Sequence, residues 1–276
     1  MNEDYQRTLS GPFDLHGIGL HTGAEASVRV SPLGASEGIR FKLQGLAEPF
    51  IADVHSVQSL ERCTTIGRDG YSVCTVEHLL SALSGCGVDN CLVEVDGPEV
   101  PAMDGSALPF VEQIQTVGTV QQTLLREPIW LDGPIWISDG SSEAMALPAE
   151  MLWVTYAIDF PDKVVKRQVC SYEVTPEVFG REIAPARTFG FMRDVEELRR
   201  RGLALGGGLH NAVVVGDDGY LGPVRFENEP VRHKALDLLG DLALLGAPLR
   251  ARIIVLRGSH RLHVEMSREV LKRRRT

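Results

Sequence analysis

The segment EPVRHKALDLLGDLALLG, residues 229–246, carries His233, Asp237 and Asp241 at intervals of four inside an otherwise apolar helical pattern. Residues i and i+4 of a helix share one face, with Cβ atoms about 6 Å apart. His233 and Asp237 could therefore ligate one metal ion, although H-x-x-x-D is equally satisfied by a hydrogen-bonded pair assisted by Lys234. A catalytic zinc usually takes three protein ligands and keeps a fourth position for water, and two histidines with one carboxylate are an accepted set. Of the eight histidines, His78 in TVEHLLSALSG is the best third ligand, because it lies in a second apolar helical pattern directly after Glu77. A carboxylate beside a metal ligand can remove the proton of a water held there. Asp241 lies one turn beyond Asp237, and a buried carboxylate without a partner is costly. It is explained if it holds a protonated histidine, and RGSHRLH offers His260, expected in a loop after a strand and Gly258. Asp241 would then raise the imidazole pKa and keep it an acid near neutral pH. His263, in the same stretch, could be displayed instead.

These residues need elements to carry them. EASVRVSP, CLVEVDG, WVTYAIDF, NAVVVGDDG and RARIIVLRG have the β-branched enrichment of strands, while TVEHLLSALSG, VEELRRRG and VRHKALDLLGDLALLG show helical periodicity closing on glycine. Residues 76–97 read as a His-bearing helix, a glycine stop and a buried strand, and residues 231–258 read the same way. GPFDLHG and GPIWISDG open the two halves. This coarse echo predicts a boundary near LLREP, with halves 1–125 and 126–276 each contributing one His-bearing helix to a shared interface.

A net charge of −9 gives no general support for nucleic-acid binding. The basic run LKRRRT reads as a solvated helix end, or as a weak attraction to anionic lipid headgroups. Five cysteines without C-x-x-C spacing, and the polar start MNEDYQRT, predict a reducing cytoplasm. No apolar run approaches the ~18 residues that suggest a membrane span.

Seven motifs in order make the chain resemble the UDP-3-O-acyl-N-acetylglucosamine deacetylases nearly end to end. They are GIGLHTG (17–23), TVEHLLSAL (75–83), GVDNCLVEVDGPEVPAMDGSALPF (87–110), ARTFGFMRD (186–194), RGLALGGGLHNAVVV (201–215), RFENEPVRHKALDLLGDLALLG (225–246) and GSH (258–260). The resemblance implies an α+β fold of two βααβ sandwich domains packed through their helices, with the active site at the interface. It implies zinc, or Fe2+ in the same site, on His78, His233 and Asp237. Glu77 would be the general base and His260, backed by Asp241, the acid; Thr188 would help hold the oxyanion, and Lys234 follows the second histidine ligand. Phe160 would stack on uracil with Asp159 beside it, Arg257 would contact the diphosphate, and Phe189, Phe191, Met192, Leu203 and Leu205 would line an acyl passage. The implied substrate is UDP-3-O-(3-hydroxyacyl)-N-acetylglucosamine, losing acetate to leave a free amine in the committed step of lipid A biosynthesis. A monomer acting in the cytoplasm is expected.

Two other classes start from the same residues. Two histidines and a carboxylate with open positions also describe non-haem Fe(II) oxygenases, and a non-catalytic carrier of acylated sugar nucleotides would need neither Glu77 nor His260. Cys63 in ERCTT reads as small packing, and His21 in LHTG could line the site or cap a turn.

Overall fold

A computed structural model describes residues 4–275, so the first three residues of MNEDYQRT and the Thr276 that ends the basic tail lie outside it. The fold is α+β. One sheet orders its strands Phe13–Ile18, Glu25–Pro32, Cys91–Asp96, Ile39–Leu43 and Phe50–Ile51. The other follows the same scheme with Ile135–Asp139, Ser142–Pro148, Leu249–Leu256, Trp153–Asp159 and Arg167–Glu173, and the short strand Ile129–Trp130 joins it beside Leu249. In each sheet a hairpin comes first in the chain, and the last strand inserts between the second and third. That insertion makes a parallel pair, Cys91–Asp96 with Ile39–Leu43 and Leu249–Leu256 with Trp153–Asp159. Parallel neighbours need a crossover, commonly a helix lying on the sheet face. The crossovers here contain the two His-bearing helices, so the echo read in the sequence corresponds to a shared strand order.

Among the described residues there are six α-helices: α1 (Glu77–Gly85), α2 (Leu108–Val117), α3 (Pro176–Val178), α4 (Val195–Arg200), α5 (Glu229–Ala243) and α6 (His260–Lys272). The strands alternate as a one-sided sheet requires: Ala26, Val28 and Val30 are buried on one, and Leu249, Ala251, Ile253 and Val255 on another. Helix α5 packs on Trp153–Asp159 and Arg167–Glu173 and also against α1. At the α1–α5 crossing, a Cβ added to Gly240 would drive into the Glu77 backbone carbonyl. Alanine in place of an exposed helical glycine gains about 1 kcal/mol; here overpacking reverses the sign. Gly240→Ala should destabilise the protein by about 1–3 kcal/mol, seen as a thermal melting point lowered by several degrees. An unchanged or raised melting point would show that the two helices can part without cost.

The expected loop around His260 is instead the first turn of α6. Ser259 caps it, its Oγ accepting from the Leu262 amide at 3.3 Å. The periodicity was disguised because His260, His263 and Ser267 occupy its buried face together with Leu262, Met266 and Val270. Two small insertions complete the frame. The antiparallel strands Val57–Ser59, Thr65–Arg68 and Tyr71–Val73 bring Thr64 to the start of α1, and Phe189–Phe191 pairs in parallel with Val213–Val215 beside Thr188.

Candidate active site

Helix α1 begins from an unusual backbone. Thr75 has φ of 58°, a left-handed conformation that a β-branched residue adopts at a cost. Its surroundings hold it there: the Thr75 hydroxyl donates to Glu99 at 2.6 Å, and Cys74 on one side exchanges backbone bonds with Pro98 and Val100. Glu99 is fully buried and also accepts from the His21 and Thr22 amides and the Thr22 hydroxyl. The chain thus enters α1 at a fixed angle, with Glu77 and His78 in its first turn.

The side chains of His78, His233 and Asp237 are all buried, and one ligand atom from each lies within 4.8 Å of the others. Asp237 Oδ1 is 3.2 Å from His233 Nε2 and 3.8 Å from His78 Nε2. His233 Nδ1 donates to the Ala186 carbonyl at 3.0 Å, which leaves the Nε2 lone pair pointing inward. Burial, with the neighbouring His233, pushes the His78 pKa down to about 3, so its imidazole is neutral. Asp237 stays ionised well below the usual carboxylate range: burial opposes this, but His233 and Lys234 outweigh it. Three acceptors therefore converge, and Asp237 Oδ1 is buried with no hydrogen-bond donor. Tetrahedral ligands about 2.0–2.1 Å from a metal stand about 3.3 Å apart. The donor set and the orphaned oxygen fit a divalent cation.

Lys234 donates to the other oxygen of Asp237 at 2.8 Å. Burial would lower its pKa, yet Asp237 holds it above the ordinary value, so it remains an ammonium. Glu77 Oε2 accepts from the Thr64 amide at 3.1 Å, and Oε1 lies 3.8 Å from His260 Nε2. Burial raises the Glu77 pKa well above normal, against the opposing pull of His260. Asp241 accepts from His260 Nδ1 at 2.8 Å and from the Thr64 hydroxyl at 2.5 Å. Burial works against both charges; even so, Asp241 falls to about 2 and His260 rises to about 9, each held by the other. His263 Nδ1 reaches the same Asp241 oxygen at 2.8 Å, so the carboxylate serves both histidines offered by RGSHRLH.

Thr188 is fixed through its backbone, donating to Gly105 and accepting from Val213, both at 2.8 Å. The segment leading to it is anchored by Glu229 of α5, which accepts from the Arg187 amide and side chain at 3.0 and 2.9 Å. Phe160, Phe189 and Phe191 form a cluster with ring centroids 5.3–6.4 Å apart. Asp159 lies 3.7 Å from the Arg257 guanidinium, whose Nε donates to the Ser141 carbonyl at 2.8 Å. The substrate-binding group expected from sequence thus divides into an aromatic cluster and a charged pair. Ile18, Met192, Leu205, Leu209 and Leu221 are exposed apolar side chains.

Sequence reasoning missed Thr64, whose amide and hydroxyl connect Glu77 with Asp241; nothing in ERCTT marks it. Cys63 is buried, as a packing residue would be. Its thiol is drawn down to about 6, chiefly by a hydrogen bond with Cys74, while Cys74 moves up. The approach to α1 brings these two cysteines together. His21 turns a buried Nδ1 inward without a hydrogen-bond partner among the described residues.

The family described as LpxC, UDP-3-O-acyl N-acetylglycosamine deacetylase, matches residues 6–272. A UDP-3-O-acyl-N-acetylglucosamine deacetylase of Thermosynechococcus vestitus is 45% identical over 274 residues, 98% of this chain and 95% of the relative. Enzymes of the same name from Leptospira biflexa and Myxococcus xanthus are each 42% identical, covering 97% and 96% of this chain and 90% and 86% of theirs. The chain therefore belongs to the UDP-3-O-acyl N-acetylglycosamine deacetylase family, metal-dependent hydrolases that cleave an amide bond.

Proposed function

We propose that the chain hydrolyses the N-acetyl group of UDP-3-O-(3-hydroxyacyl)-N-acetylglucosamine, releasing acetate and the free amine of a lipid A precursor, with zinc on His78, His233 and Asp237. The observation that carries this reading is the convergence of three buried acceptors, one of them the donorless Asp237 Oδ1, beside a carboxylate and a cationic histidine. Zinc, or Fe2+ on the same ligands, would lower the pKa of a water and polarise the acetyl carbonyl. Glu77, made more basic by burial, takes the proton from that water. Thr188, whose hydroxyl has no partner among the described residues, donates to the oxygen on which negative charge develops. His260 keeps its Nδ1 proton on Asp241 and delivers the Nε2 proton to the leaving nitrogen. Lys234 holds Asp237 in its ionised form.

Phe160 would stack on the uracil, Asp159 would bind beside it, Arg257 would reach the diphosphate, and Phe189 would begin an apolar path for the acyl chain. The two halves are 1–125 and 126–276, a division supported by their shared strand order. No helix among the described residues is long and apolar enough to cross a membrane, and the five free cysteines fit a reducing cytoplasm.

The decisive assay is acetate release from the acylated UDP-sugar. It should vanish on chelation and return with zinc; substrate binding without acetate or amine release would overturn the proposal in favour of a carrier. Anaerobic metal analysis of the protein as purified should find about one divalent ion per chain, and its identity decides between zinc and iron.

A further inference from the structure

We propose that His263 is a positioning residue for this reaction, holding Asp241, and through it His260, in the working orientation. The inference rests on the acid role given above to His260.

Asp241 has no exposed surface and accepts three hydrogen bonds. His260 Nδ1 and His263 Nδ1 both reach Oδ2 at 2.8 Å, and the Thr64 hydroxyl reaches Oδ1 at 2.5 Å. An ionised carboxylate can only accept, so each imidazole carries its proton on Nδ1 toward Asp241. With Nδ1 of His263 committed as donor, its Nε2 accepts from the Tyr156 hydroxyl at 2.9 Å. Tyr156 and His263 are both fully buried, and their rings meet edge to face with centroids 5.7 Å apart. The result is a directed chain: Tyr156 donates to His263, His263 to Asp241, and Asp241 receives the Nδ1 proton of His260. His260 Nε2 is left facing Glu77 and Asp237, at 3.8 and 4.0 Å.

Without His263, Asp241 would be held by Thr64 and His260 alone, and its Oδ2 could swing about the terminal torsion, which is soft for a carboxylate. Any swing carries His260 with it. The backbone leaves room for the chain at one point. A Cβ on Gly258 would come within 2.5 Å of the Tyr156 hydroxyl and 3.0 Å of His263 Nε2, so the turn into α6 closes over this hydrogen bond only with glycine there. His260 and His263 also face Asp241 together because they are three residues apart in the first turn of one helix.

Two amide substitutions separate the two hydrogen bonds of His263. In His263→Asn the side-chain nitrogen stands where Nδ1 was and keeps the donor to Asp241. In His263→Gln the amide reaches the place of Nε2, keeping Tyr156 but leaving Asp241 without that donor. With full metal content, H263N should retain kcat within about threefold of the parent, whereas H263Q should lose about tenfold in kcat at unchanged KM. Tyr156→Phe, which leaves His263 in place, should lie between them. The downfield NMR resonance of the His260 Nδ1 proton should persist in H263N and broaden or vanish in H263Q. Equal kcat in the two amide variants, or a lowered melting temperature with kcat and the resonance unchanged in H263Q, would overturn the proposal and leave a purely structural histidine. The deacetylase reading fails separately, if the unsubstituted enzyme releases no acetate; the resonance still judges the positioning role in that case.

Discussion

Glu77→Gln should cut the turnover number by about 10²–10⁴-fold, the range of general acid–base catalysis, while metal content stays at its original level. Glutamine keeps the size of the side chain and can still accept from the Thr64 amide, which meets Oε2 at 3.1 Å. What it loses is basicity. Glu77 is buried, and burial lifts its pKa well above the ordinary value, which strengthens it as a proton acceptor. Glu77 is not among the three convergent ligand residues, so removing its charge leaves His78, His233 and Asp237 intact. Metal analysis and kinetics on the same preparation check this. Turnover within a few-fold of the parent would show that another group takes the proton.

His260→Ala should cost a similar factor, about 10²–10⁴ in turnover, again with the metal retained. Because Asp241 raises His260 to about 9, the acid form is complete well below that pH and disappears as pH rises through it. Turnover should therefore fall on the alkaline side near pH 9, and Asp241→Asn should move that fall toward the ordinary histidine value of 6.5. The same shifts govern stability. A raised histidine stabilises the fold fully below 6.5 and loses that contribution as pH rises through about 9. Asp241, lowered to about 2, contributes fully above its ordinary 3.8 and loses this as pH falls through about 2. The pair is at full strength between 3.8 and 6.5. Near-normal turnover in His260→Ala, or an alkaline limb unmoved by Asp241→Asn, would remove His260 from the acid role.

Much of the scaffold was legible because burial on one face leaves a period in the sequence. The strand read in EASVRVSP spans Glu25–Pro32, and the helical pattern read in VRHKALDLLGDLALLG belongs to a helix spanning Glu229–Ala243. Helix α6 was missed because two histidines and a serine share its buried stripe, and polar residues on a core face hide the period that betrays a helix. The candidate ligands were legible for the opposite reason: polar residues at i and i+4 within an apolar stripe need a partner.

The sequence by itself determined the residue types, the elements that carry most of them and the family resemblance. Only the tertiary structure decided how they meet. It made Asp241 the common acceptor of His260 and His263, placed Tyr156 behind His263, and joined Thr64 to Asp241 across 177 residues of chain. Periodicity records which face of an element is buried, a local property. Which residue it is buried against depends on how two sheets and their crossover helices close on one another, and no spacing along the chain encodes that distance.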